Sequence, residues 1–337
     1  MADSVHARTS IPASPPAEKP TRAKHWRGVF AWFDSNRFDK LPKQDHYTPR
    51  SDPVRWVPYV LMHAGCLLAF LVGVSWTTFA VAFVLYVVRA FGITGVYHRY
   101  FSHRTYRTTR VFQFFLAVLG NAAMQRGPLW WAAQHRNHHA HSDDPNDPHS
   151  PHQHGLYWAH MGWLTDTQNM RTDYKLIPDL TRYRELLFID RFEWVVPVVF
   201  GALLWGLGAL LGHYAPQLGT SGPQMFVWCF FVSTVVLFHA TCTINSLAHV
   251  LGGRRFKTTD TSRNNLFLAI LTLGEGWHNN HHHYPSSARN GFYWWEIDIT
   301  YYVLRGLAAV GLIWGLRPVP EAVLAEGRAA DASAASK

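Results

Sequence analysis

The chain has 337 residues, of which 48% are hydrophobic and only 16% are charged, whereas about a quarter of the residues in a typical soluble domain are charged. Its three cysteines all lie in apolar runs, which argues against disulfide bridges and against a cysteine-ligated zinc or iron–sulfur site: Cys66, Cys229 and Cys242. The formal net charge of +9 favours loops beside anionic lipid over nucleic-acid binding.

Residues 1–50 are predicted to form a polar, partly disordered segment, because they are rich in alanine, serine, proline and basic residues. They contain no apolar core of the kind found in a signal peptide. Within this segment, the Trp- and Phe-rich stretch 26–38 is predicted to lie along the membrane interface, where aromatic rings favour the headgroup boundary.

Two apolar regions are each predicted to form a helical hairpin across the bilayer. Residues 57–97 contain one formal charge, Arg89, and are roughly twice as long as one crossing requires. We place the turn near residues 74–78, extend the second helix to His98, and expect the Arg89 side chain to snorkel toward the interface. Residues 194–214 and 224–244 contain no Lys, Arg, Asp or Glu, and the linker between them contains proline and glycine.

Three shorter apolar stretches are not predicted to cross the bilayer. Residues 111–124 and 266–273 are too short, and fit interfacial or buried helices. Residues 297–316 include two charges, and we favour a helix packed on the cytoplasmic side over a fifth span. The alanine-rich residues 318–337 are predicted to be a disordered tail, which leaves residues 51–317 as the membrane domain.

The distribution of basic residues predicts the orientation. Neither hairpin loop contains Lys or Arg, and every basic residue except Arg89 lies in the N-terminal segment, the central segment or the region after residue 244. The positive-inside rule therefore places both termini and the central segment in the cytoplasm. The sequence predicts an all-α, multi-pass integral membrane protein with four transmembrane helices in two hairpins and a cytoplasmic helical cap.

Three clusters of histidines lie at the cap ends of these segments. In two of them, histidines at i, i+3 and i+4 share one helix face: His135, His138 and His139, and then His278, His281 and His282. The third pair, His98 and His103, stands at i and i+5, which does not share an α-helix face, so we expect a helix end or bend there.

Eight or nine imidazoles are too many for one ion, so the clusters predict a site for two metals. Imidazole suits Zn, Cu, Fe and Ni, and a structural zinc would use about four ligands and usually some cysteine. An all-histidine, two-metal site beside a membrane favours non-haem iron that handles dioxygen. Nearby carboxylates are predicted to accept hydrogen bonds from the imidazole N–H groups: Asp143, Asp144, Asp147 and Glu275.

These motifs resemble those of the membrane fatty acid desaturases, and more narrowly the stearoyl-CoA desaturase-like branch. That family shows H-x-x-x-x-H, two copies of H-x-x-H-H, and, in the narrower branch, N-S-x-x-H, which here is Asn245 to His249. The resemblance covers roughly residues 57–295. It implies two irons held by nine histidines, one by His98, His103, His135, His139 and His282. The other would take His138, His249, His278 and His281, with Asn245 holding a water.

The resemblance implies O2-dependent formation of a cis double bond, at position 9, in a long-chain acyl-CoA. Two electrons must come from a separate donor such as ferredoxin, rubredoxin, cytochrome b5 or a flavin reductase, because the chain has no nucleotide-binding or fused cytochrome b5 motif. Three residues match positions near the family's acyl tunnel: Gln125, Trp131 and Thr241. Cys242 stands where animal members have Trp, which leaves the shape of the tunnel open. Gln134 stands where they have Asp, which leaves the contact with coenzyme A open, so an acyl-lipid substrate is an alternative.

Two other functions are compatible with clustered histidines in a membrane protein. Another membrane di-iron oxygenase, such as a hydroxylase, shares the histidine clusters, and the Asn245–His249 motif favours desaturation over it. A metal transporter should place its ligands near the bilayer midplane, whereas the apolar runs here are nearly free of clustered histidines. The remaining histidines are interpreted as surface, packing or neighbouring groups, including His141 and His283 beside the motifs and His149 in the following loop.

Overall fold

The computed structural model describes residues 33–42 and 46–336, and it is 64% helix and 2% strand. The prediction for most of the N-terminal segment, including residues 26–32, lies outside the described residues. The α-helices are α1 Pro53–Leu67, α2 Ala69–Val72, α3 Trp76–Phe91, α4 Arg110–Asn121, α5 Pro128–His141, α6 Pro151–His154, α7 Leu156–His160, α8 Arg184–Arg191, α9 Val195–Tyr214, α10 Gly222–Phe226, α11 Ser233–Ser246, α12 Leu266–Leu271, α13 His278–His283, α14 Ile299–Ala309 and α15 Glu321–Ala335.

Other helical geometries extend or connect these helices. Two π-helical segments, Gly92–Ser102 and Val227–Val232, continue α3 and α10. Short 3-10 helices lie at Ser35–Phe38, Gly162–Thr165, Thr167–Met170, Tyr174–Leu176, Pro216–Leu218 and Leu247–His249. Two short strands, β1 Arg107–Thr108 and β2 Ile313–Trp314, pair antiparallel with Arg107 opposite Trp314.

Among the described residues, four helices are long and apolar enough to cross a membrane, as predicted. Span 1 is Pro53–Val72, span 2 is Trp76–Ser102, span 3 is Val195–Tyr214 and span 4 is Gly222–His249. Span 1 presents large apolar side chains outward, with Phe70 88% exposed, which fits a lipid-facing surface. α14 has 11 residues and is too short to cross, so the preference against a fifth span is confirmed for this helix.

Local signals explain where the first hairpin begins and turns. Asp52 accepts a hydrogen bond from the Val54 N–H, and Pro53 occupies the first turn of α1, where its missing N–H costs nothing. The chain leaves span 1 at Gly73 with φ 64°, and Ser75 then caps α3 by accepting from the Thr78 N–H. The predicted turn near residues 74–78 is therefore confirmed.

The two hairpins are joined by hydrogen bonds at their loop ends. The Thr78 hydroxyl lies 2.7 Å from the Thr220 hydroxyl and 2.8 Å from the Gln224 side-chain oxygen. All three side chains are buried, so these hydrogen bonds satisfy polar groups that are shielded from solvent, and Gln224 Nε2 also donates to the Val72 carbonyl.

Arg89 does not snorkel. Its side chain is 1% exposed, and its five N–H groups face five neutral oxygens, those of Leu85, Ala122, Cys229, Ser233 and Thr234. The prediction is wrong because the Ser233 and Thr234 hydroxyls, both 2.6 Å away, lie on span 4 at the level of the guanidinium. Arg89 thereby joins span 2 to span 4 and to the end of α4.

The remaining helices form a cap over one end of the spans. Its core is one buried cluster that combines the π-helical end of span 2 with α4, α5, α8 and α14, and it includes Phe101, Leu116, Leu129, Leu186 and Leu304. The predicted interfacial or buried helix at 111–124 corresponds to α4, which buries Leu116 and Ala117 on its inner side. Span 2 is therefore buried where it enters the cap and exposed where it faces lipid.

The predicted disordered tail is helical in the structure. Val323 and Leu324 of α15 pack against the buried rings of Phe256, Phe292 and Tyr293. Alanine-rich sequence has high helix propensity, and this apolar contact supplies the stabilisation that propensity alone does not give. The division of the chain at residues 50 and 317 stays a prediction.

Candidate metal centre

The end of span 2 brings His98 and His103 together. The segment Gly92–Ser102 is π-helical, and the His103 N–H donates to the His98 carbonyl at 3.2 Å, an i to i+5 bond. This winding places the two rings 4.9 Å apart, which an α-helix would not do. The expected helix end or bend is found, because the helix ends at Ser102.

The first H-x-x-H-H motif lies on α5, whose first turn is held by acidic residues from the region of α8. The buried carboxylate of Asp190 accepts from the Leu129 and Trp130 N–H groups, and Glu193 accepts from the Gly127 N–H. A Cβ atom at Gly127 would lie 2.2 Å from the Asp190 carboxylate, so only glycine permits this approach. Burial raises the pKa of Asp190 to about 7, although these backbone bonds oppose the shift.

The second H-x-x-H-H motif lies on α13, after a tight loop that follows α12. A Cβ atom at Gly276 would lie 2.1 Å from the Ala269 nitrogen, so the loop passes directly against the backbone of α12. Glu275 in this loop accepts from His98 Nδ1 at 2.5 Å and from Arg99 at 3.0 Å. One carboxylate therefore ties the loop before α13 to the end of span 2.

The nine predicted ligands gather into two adjacent groups. Within each group, the nearest ring nitrogens all lie within 4.8 Å of one another. The five-histidine group is His98, His103, His135, His139 and His281, and the four-histidine group is His138, His249, His278 and His282. The rings of His139 and His282, one from each group, stack with centroids 4.4 Å apart.

The expected division of ligands between the two ions is wrong for His281 and His282, which exchange places. On both helices, the i and i+4 residues share a group and the i+3 residue joins the other group. The i, i+4 rings lie closer, 4.6 Å for His135 and His139 and 4.4 Å for His278 and His282, whereas the i, i+3 rings are 6.1 Å apart. Residues four apart differ by a smaller rotation about the helix axis, so they turn toward the same ion.

The ring nitrogens converge at distances that suit shared coordination. Three Nε2 to Nε2 distances in the five-histidine group are 2.8, 2.9 and 3.0 Å, and His249 and His278 in the other group are 3.1 Å apart. Two nitrogens bound to one ion at about 2.1 Å and at right angles would lie roughly 3 Å apart. The spacing therefore suits nitrogens that share an ion.

Carboxylates fix the ring orientation of four of these histidines through Nδ1. His98 donates to Glu275, His138 to Asp147, His249 to Asp143 and His282 to Asp260, at 2.5 to 3.0 Å. Such bonds leave Nε2 unprotonated and directed at the centre of the group. Asp143, Asp147 and Glu275 are thus placed as predicted, whereas Asp144 pairs with the half-exposed His141, outside both groups.

Asp260 is not among the carboxylates that the sequence predicts beside the histidines. It lies 22 residues before its partner His282, in a loop without histidines, and no spacing rule connects the two residues.

The electrostatics of the site also fit a cation. The Nε2 atom of His282 is buried and has no hydrogen-bond partner among the described residues. Burial, reinforced by neighbouring imidazoles, holds the pKa well below its usual range for His103, His135, His139, His278 and His281. Burial also lowers the pKa of His282 to about 4, against the Asp260 hydrogen bond. These rings are neutral at pH 7, so their lone pairs are available to a metal.

An inner cavity adjoins the five-histidine group and is lined by the three predicted tunnel residues. Gln125 Nε2 donates to the Thr241 hydroxyl at 2.9 Å, and the Trp131 ring stacks on His135 with centroids 5.0 Å apart. Aromatic and aliphatic side chains form most of the remaining wall, including Tyr59, Trp163, Leu164 and Phe238. Cys242 and Gln134, the two departures from the animal sequences, also line this cavity.

Asn245 lies where the inner cavity meets the predicted metal ligands. It lines that cavity and a second one, the ligand-side cavity, whose wall includes His98, His138 and His278. α11 ends at Ser246 and a 3-10 turn carries His249, so Asn245 and His249 do not share a continuous α-helix. Its role in holding a water stays a prediction.

Several other histidines lie outside the two groups. His141 is half-exposed, and His283 stacks on Phe256 with centroids 4.0 Å apart. His149, left out of the predicted site, lies on the wall of the inner cavity and 4.4 Å from the His138 ring. His63 and His239 are joined to each other rather than isolated, at 2.9 Å, and His239 is also 2.9 Å from His160.

Comparisons with known proteins agree with this architecture. The family model described as fatty acid desaturase matches residues 74–314. A Delta-9 acyl-lipid desaturase of Arabidopsis thaliana is 37% identical over 269 residues, covering 78% of this chain and 82% of the relative. An sn-2 palmitoyl-lipid 9-desaturase of Nostoc is 34% identical, and the match covers 78% of this chain and 90% of the relative. An acyl-CoA 5-desaturase of Anemone leveillei is 37% identical, and the match covers 74% of this chain and 75% of the relative.

Proposed function

Because this chain belongs to the fatty acid desaturase family, we propose that it uses O2 to introduce a cis double bond, at position 9, into a long-chain fatty acyl group. Members of the family are oxidoreductases. The reaction takes two hydrogens from adjacent acyl methylenes. One O2, two electrons and two protons complete the balance and leave two waters, so a separate electron donor must supply the electrons.

The observation that carries the proposal is the convergence of nine histidines into two adjacent groups beside a largely apolar cavity. Neutral imidazoles suit iron, and two ions suit the activation of dioxygen. The buried Nε2 of His282, which has no partner in the part of the chain that the structure describes, and the four carboxylate-bonded rings support a bound cation on each group.

The protein's own residues would position the reacting acyl carbons and exclude water. When bound, an iron pair would supply the oxidising power for C–H cleavage. Trp131 and Thr241 lie on the wall nearest the ligands and would hold a bend of the acyl chain there. Glu275, Asp143, Asp147 and Asp260 would keep their histidines in the ligating tautomer.

Asn245 would hold a water beside the four-histidine group and keep one coordination position exchangeable. We expect Asn245→Ala to retain most of the iron and lose most of the turnover, because O2 needs such an opening. Asn245→His should also lose turnover, since a tenth imidazole would fill the opening. Wild-type turnover by Asn245→Ala with full iron would make the residue structural.

Expression in a desaturase-deficient host tests the proposed reaction. Gas chromatography of the host lipids should show a new cis alkene, and derivatisation should locate it at position 9. His138→Ala at equal protein level is the matched control and should show none. A new alcohol in place of the alkene would identify a hydroxylase, and neither product from an iron-loaded protein would reject oxidation of acyl chains.

We further propose that the cap and both termini face the cytoplasm, where a soluble or membrane-bound one-electron donor reaches the site. The support is the positive-inside pattern of the loops. A reporter fused after Lys337 should be active only in its cytoplasmic form, and the opposite result would overturn this orientation.

A further inference from the structure

A short helical arm, residues 150–160, lies beside the end of span 4. It contains α6 and α7, which are joined at Gly155 with φ 84°, and α7 packs along α11. The Ser150 hydroxyl caps α6 by accepting from the Gln153 N–H. The arm carries three histidines that belong to neither ligand group: His152, His154 and His160. They can therefore contact the metal centre only from outside the two groups.

The first helix of the arm holds the loop that supplies two ligand-orienting aspartates. The Ser150 hydroxyl donates to the Asp143 carboxylate at 2.6 Å, and the Gln153 side chain donates to the Asp143 carbonyl at 2.9 Å. His154 Nε2 donates to the Asp147 carbonyl at 3.0 Å. Both aspartates orient histidines of the four-histidine group, so the arm supports that group through them.

The arm also holds the end of span 4 at two points. α11 ends at Ser246, and the 3-10 turn that follows carries the predicted ligand His249. His152 Nε2 donates to the His249 carbonyl at 3.2 Å, and His160 Nδ1 lies 3.0 Å from the Ser246 hydroxyl. The turn is thus held both where it begins and where it presents its ligand.

A chain of histidines anchors the arm to spans 1 and 4. His160 Nε2 lies 2.9 Å from His239 Nδ1, and His239 Nε2 lies 2.9 Å from His63 Nε2. The Tyr59 carbonyl, 2.7 Å from His63 Nδ1, can only accept, so His63 donates to it. With neutral rings, His239 then donates to His63, and His160 donates to His239. His160 Nδ1 is left as an acceptor, and the Ser246 hydroxyl is the donor that faces it.

This chain is not a third metal site. His239 turns a different ring nitrogen toward each neighbour, so the nitrogens of the three rings do not converge on one point. In the two ligand groups, by contrast, the nearest nitrogens all lie within 4.8 Å of one another. Ionisable side chains within a span are costly unless they are paired, and here they pair with one another.

We propose, resting on the two-ion site of the proposed function, that residues 150–160 are a positioning element for the four-histidine group alone. The arm keeps His249 and the aspartates behind His249 and His138 in their ligating positions before an ion binds. His152 and His160 are positioning residues, because they act through the His249 carbonyl and the Ser246 hydroxyl.

Preorganisation is the physical reason for this role. A turn that is already ordered loses little conformational freedom when the ion binds, so less of the binding free energy is spent on ordering it. Among the described residues, the hydrogen bonds from the arm to the metal centre go to the end of span 4 and to the two aspartates. The gain in affinity should therefore concern one ion of the two.

Stepwise release of iron tests this selectivity. The full-length, iron-loaded protein is titrated without oxygen with a chromophoric Fe²⁺ chelator, and the iron released per chain is recorded. For Ser246→Ala, we expect one ion to leave at about tenfold lower chelator concentration than in the wild type, with the other ion and the melting temperature unchanged. Equal weakening of both ions, or of neither, would overturn the positioning role.

Two substitutions separate the contact with His160 from other effects of losing a hydroxyl. Ser246→Thr keeps the hydroxyl and should restore wild-type release. Thr243→Val deletes a hydroxyl of the same helix that donates to the Ala240 carbonyl, and it should release both ions normally. It controls for the contact of Ser246 with the Cys242 carbonyl of its own helix, at 2.9 Å. An effect of Thr243→Val as large as that of Ser246→Ala would contradict the proposal.

His152→Ala tests the second contact with little risk to folding, because His152 is exposed. It should release the same ion at about fivefold lower chelator concentration, the usual order for one hydrogen bond. His213→Ala, exposed at the end of span 3, is the matched control and should behave as the wild type. Wild-type release by His152→Ala would show that the arm does not hold the turn, and it would overturn the proposal.

Desaturation by the wild type is measured on the same preparation, so that the two proposals can fail separately. A wild type that holds two ions, shows the selective effect of Ser246→Ala and makes no alkene would reject the function and support the positioning role. A wild type that holds fewer than two ions at saturation would overturn the two-ion site, and the positioning role with it.

Discussion

At the scale of single residues, the ligand histidines differ in what holds their second nitrogen. Four of the nine donate Nδ1–H to a buried or nearly buried carboxylate, and these bonds fix which nitrogen would face a bound ion. Two others, His278 and His281, have a buried Nδ1 without a partner among the described residues. The carboxylate-bonded histidines are therefore the ones whose loss should disturb the site most.

His138→Ala should abolish desaturation and release metal, because it removes a ligand and leaves the Asp147 carboxylate buried without its partner. His283→Ala should keep at least half of the activity, since His283 contacts Phe256 and Glu326 and belongs to neither group. Turnover and iron content per protein, measured side by side, check both. Equal losses at equal protein level would mean that His283 also ligates.

Asp260→Asn should lower metal affinity about 10- to 100-fold, the usual cost of losing a carboxylate behind a ligating histidine. The amide cannot accept as strongly from His282 Nδ1–H, so the ring loses its fixed orientation. Titration of the purified protein with a competing chelator measures the affinity. Asp144→Asn is the matched control and should bind metal normally, because Asp144 pairs with His141 outside both groups.

At the scale of secondary structure, two elements depart from what local sequence indicates. The end of span 2 is wound as a π-helix, and α15 is folded against the cap. In both cases tertiary contacts select the conformation, since the His98 ring is held by Glu275 and α15 is held by Tyr293 and Arg255. Intrinsic propensity is only a weak prior where such contacts exist.

Truncation after Arg317 should lower the stability of the protein by roughly 2 kcal/mol, which is the order expected for partly burying Val323 and Leu324. It also removes the hydrogen bond from Tyr293 to the Leu324 carbonyl and the ion pair of Arg255 with Asp331. The melting temperature in detergent measures the loss. The control protein lacks only the last two residues. Equal melting temperatures for the full-length protein, the control and the truncated protein would mean that α15 contributes nothing to stability.

At the scale of the whole molecule, the two histidine groups connect four separate parts of the chain. Their ligands come from the end of span 2, α5, the end of span 4 and α13. Bound ions would therefore cross-link both hairpins to the cap. Burying imidazoles without a partner above an apolar bundle would cost free energy of folding. Bound ions would offset this cost, because each imidazole nitrogen that coordinates an ion has a partner.

Metal removal should consequently destabilise the fold. The protein purified without oxygen should contain close to two irons per chain, and chelation should lower its melting temperature. A ligand present at a thousandfold excess over its Kd stabilises the native state by about 4 kcal/mol. His138→Ala should show a much smaller shift on chelation. One ion per chain in a fully active preparation would contradict the two-ion site.

Much of this molecule was determined by the sequence alone. The number and approximate bounds of the spans follow from apolar runs of bilayer length, because a helix satisfies the backbone hydrogen bonds of a single stretch within lipid. The nine histidines were recognisable because their spacing repeats. Their division into two groups was decided by the structure, because i+3 and i+4 share a helix face with i and the spacing alone permits either pairing.

Only the tertiary structure decided the contacts between residues that are distant in the chain. Asp260 lies 22 residues from its partner His282. The Ser233 and Thr234 hydroxyls lie about 145 residues from Arg89, to which they bond. Tyr293 lies more than 30 residues from Leu324 of α15, whose carbonyl it contacts. No local period encodes such pairs. The inner cavity is likewise a property of how the spans and the cap pack, because a cavity is the space that side chains from several elements leave between them.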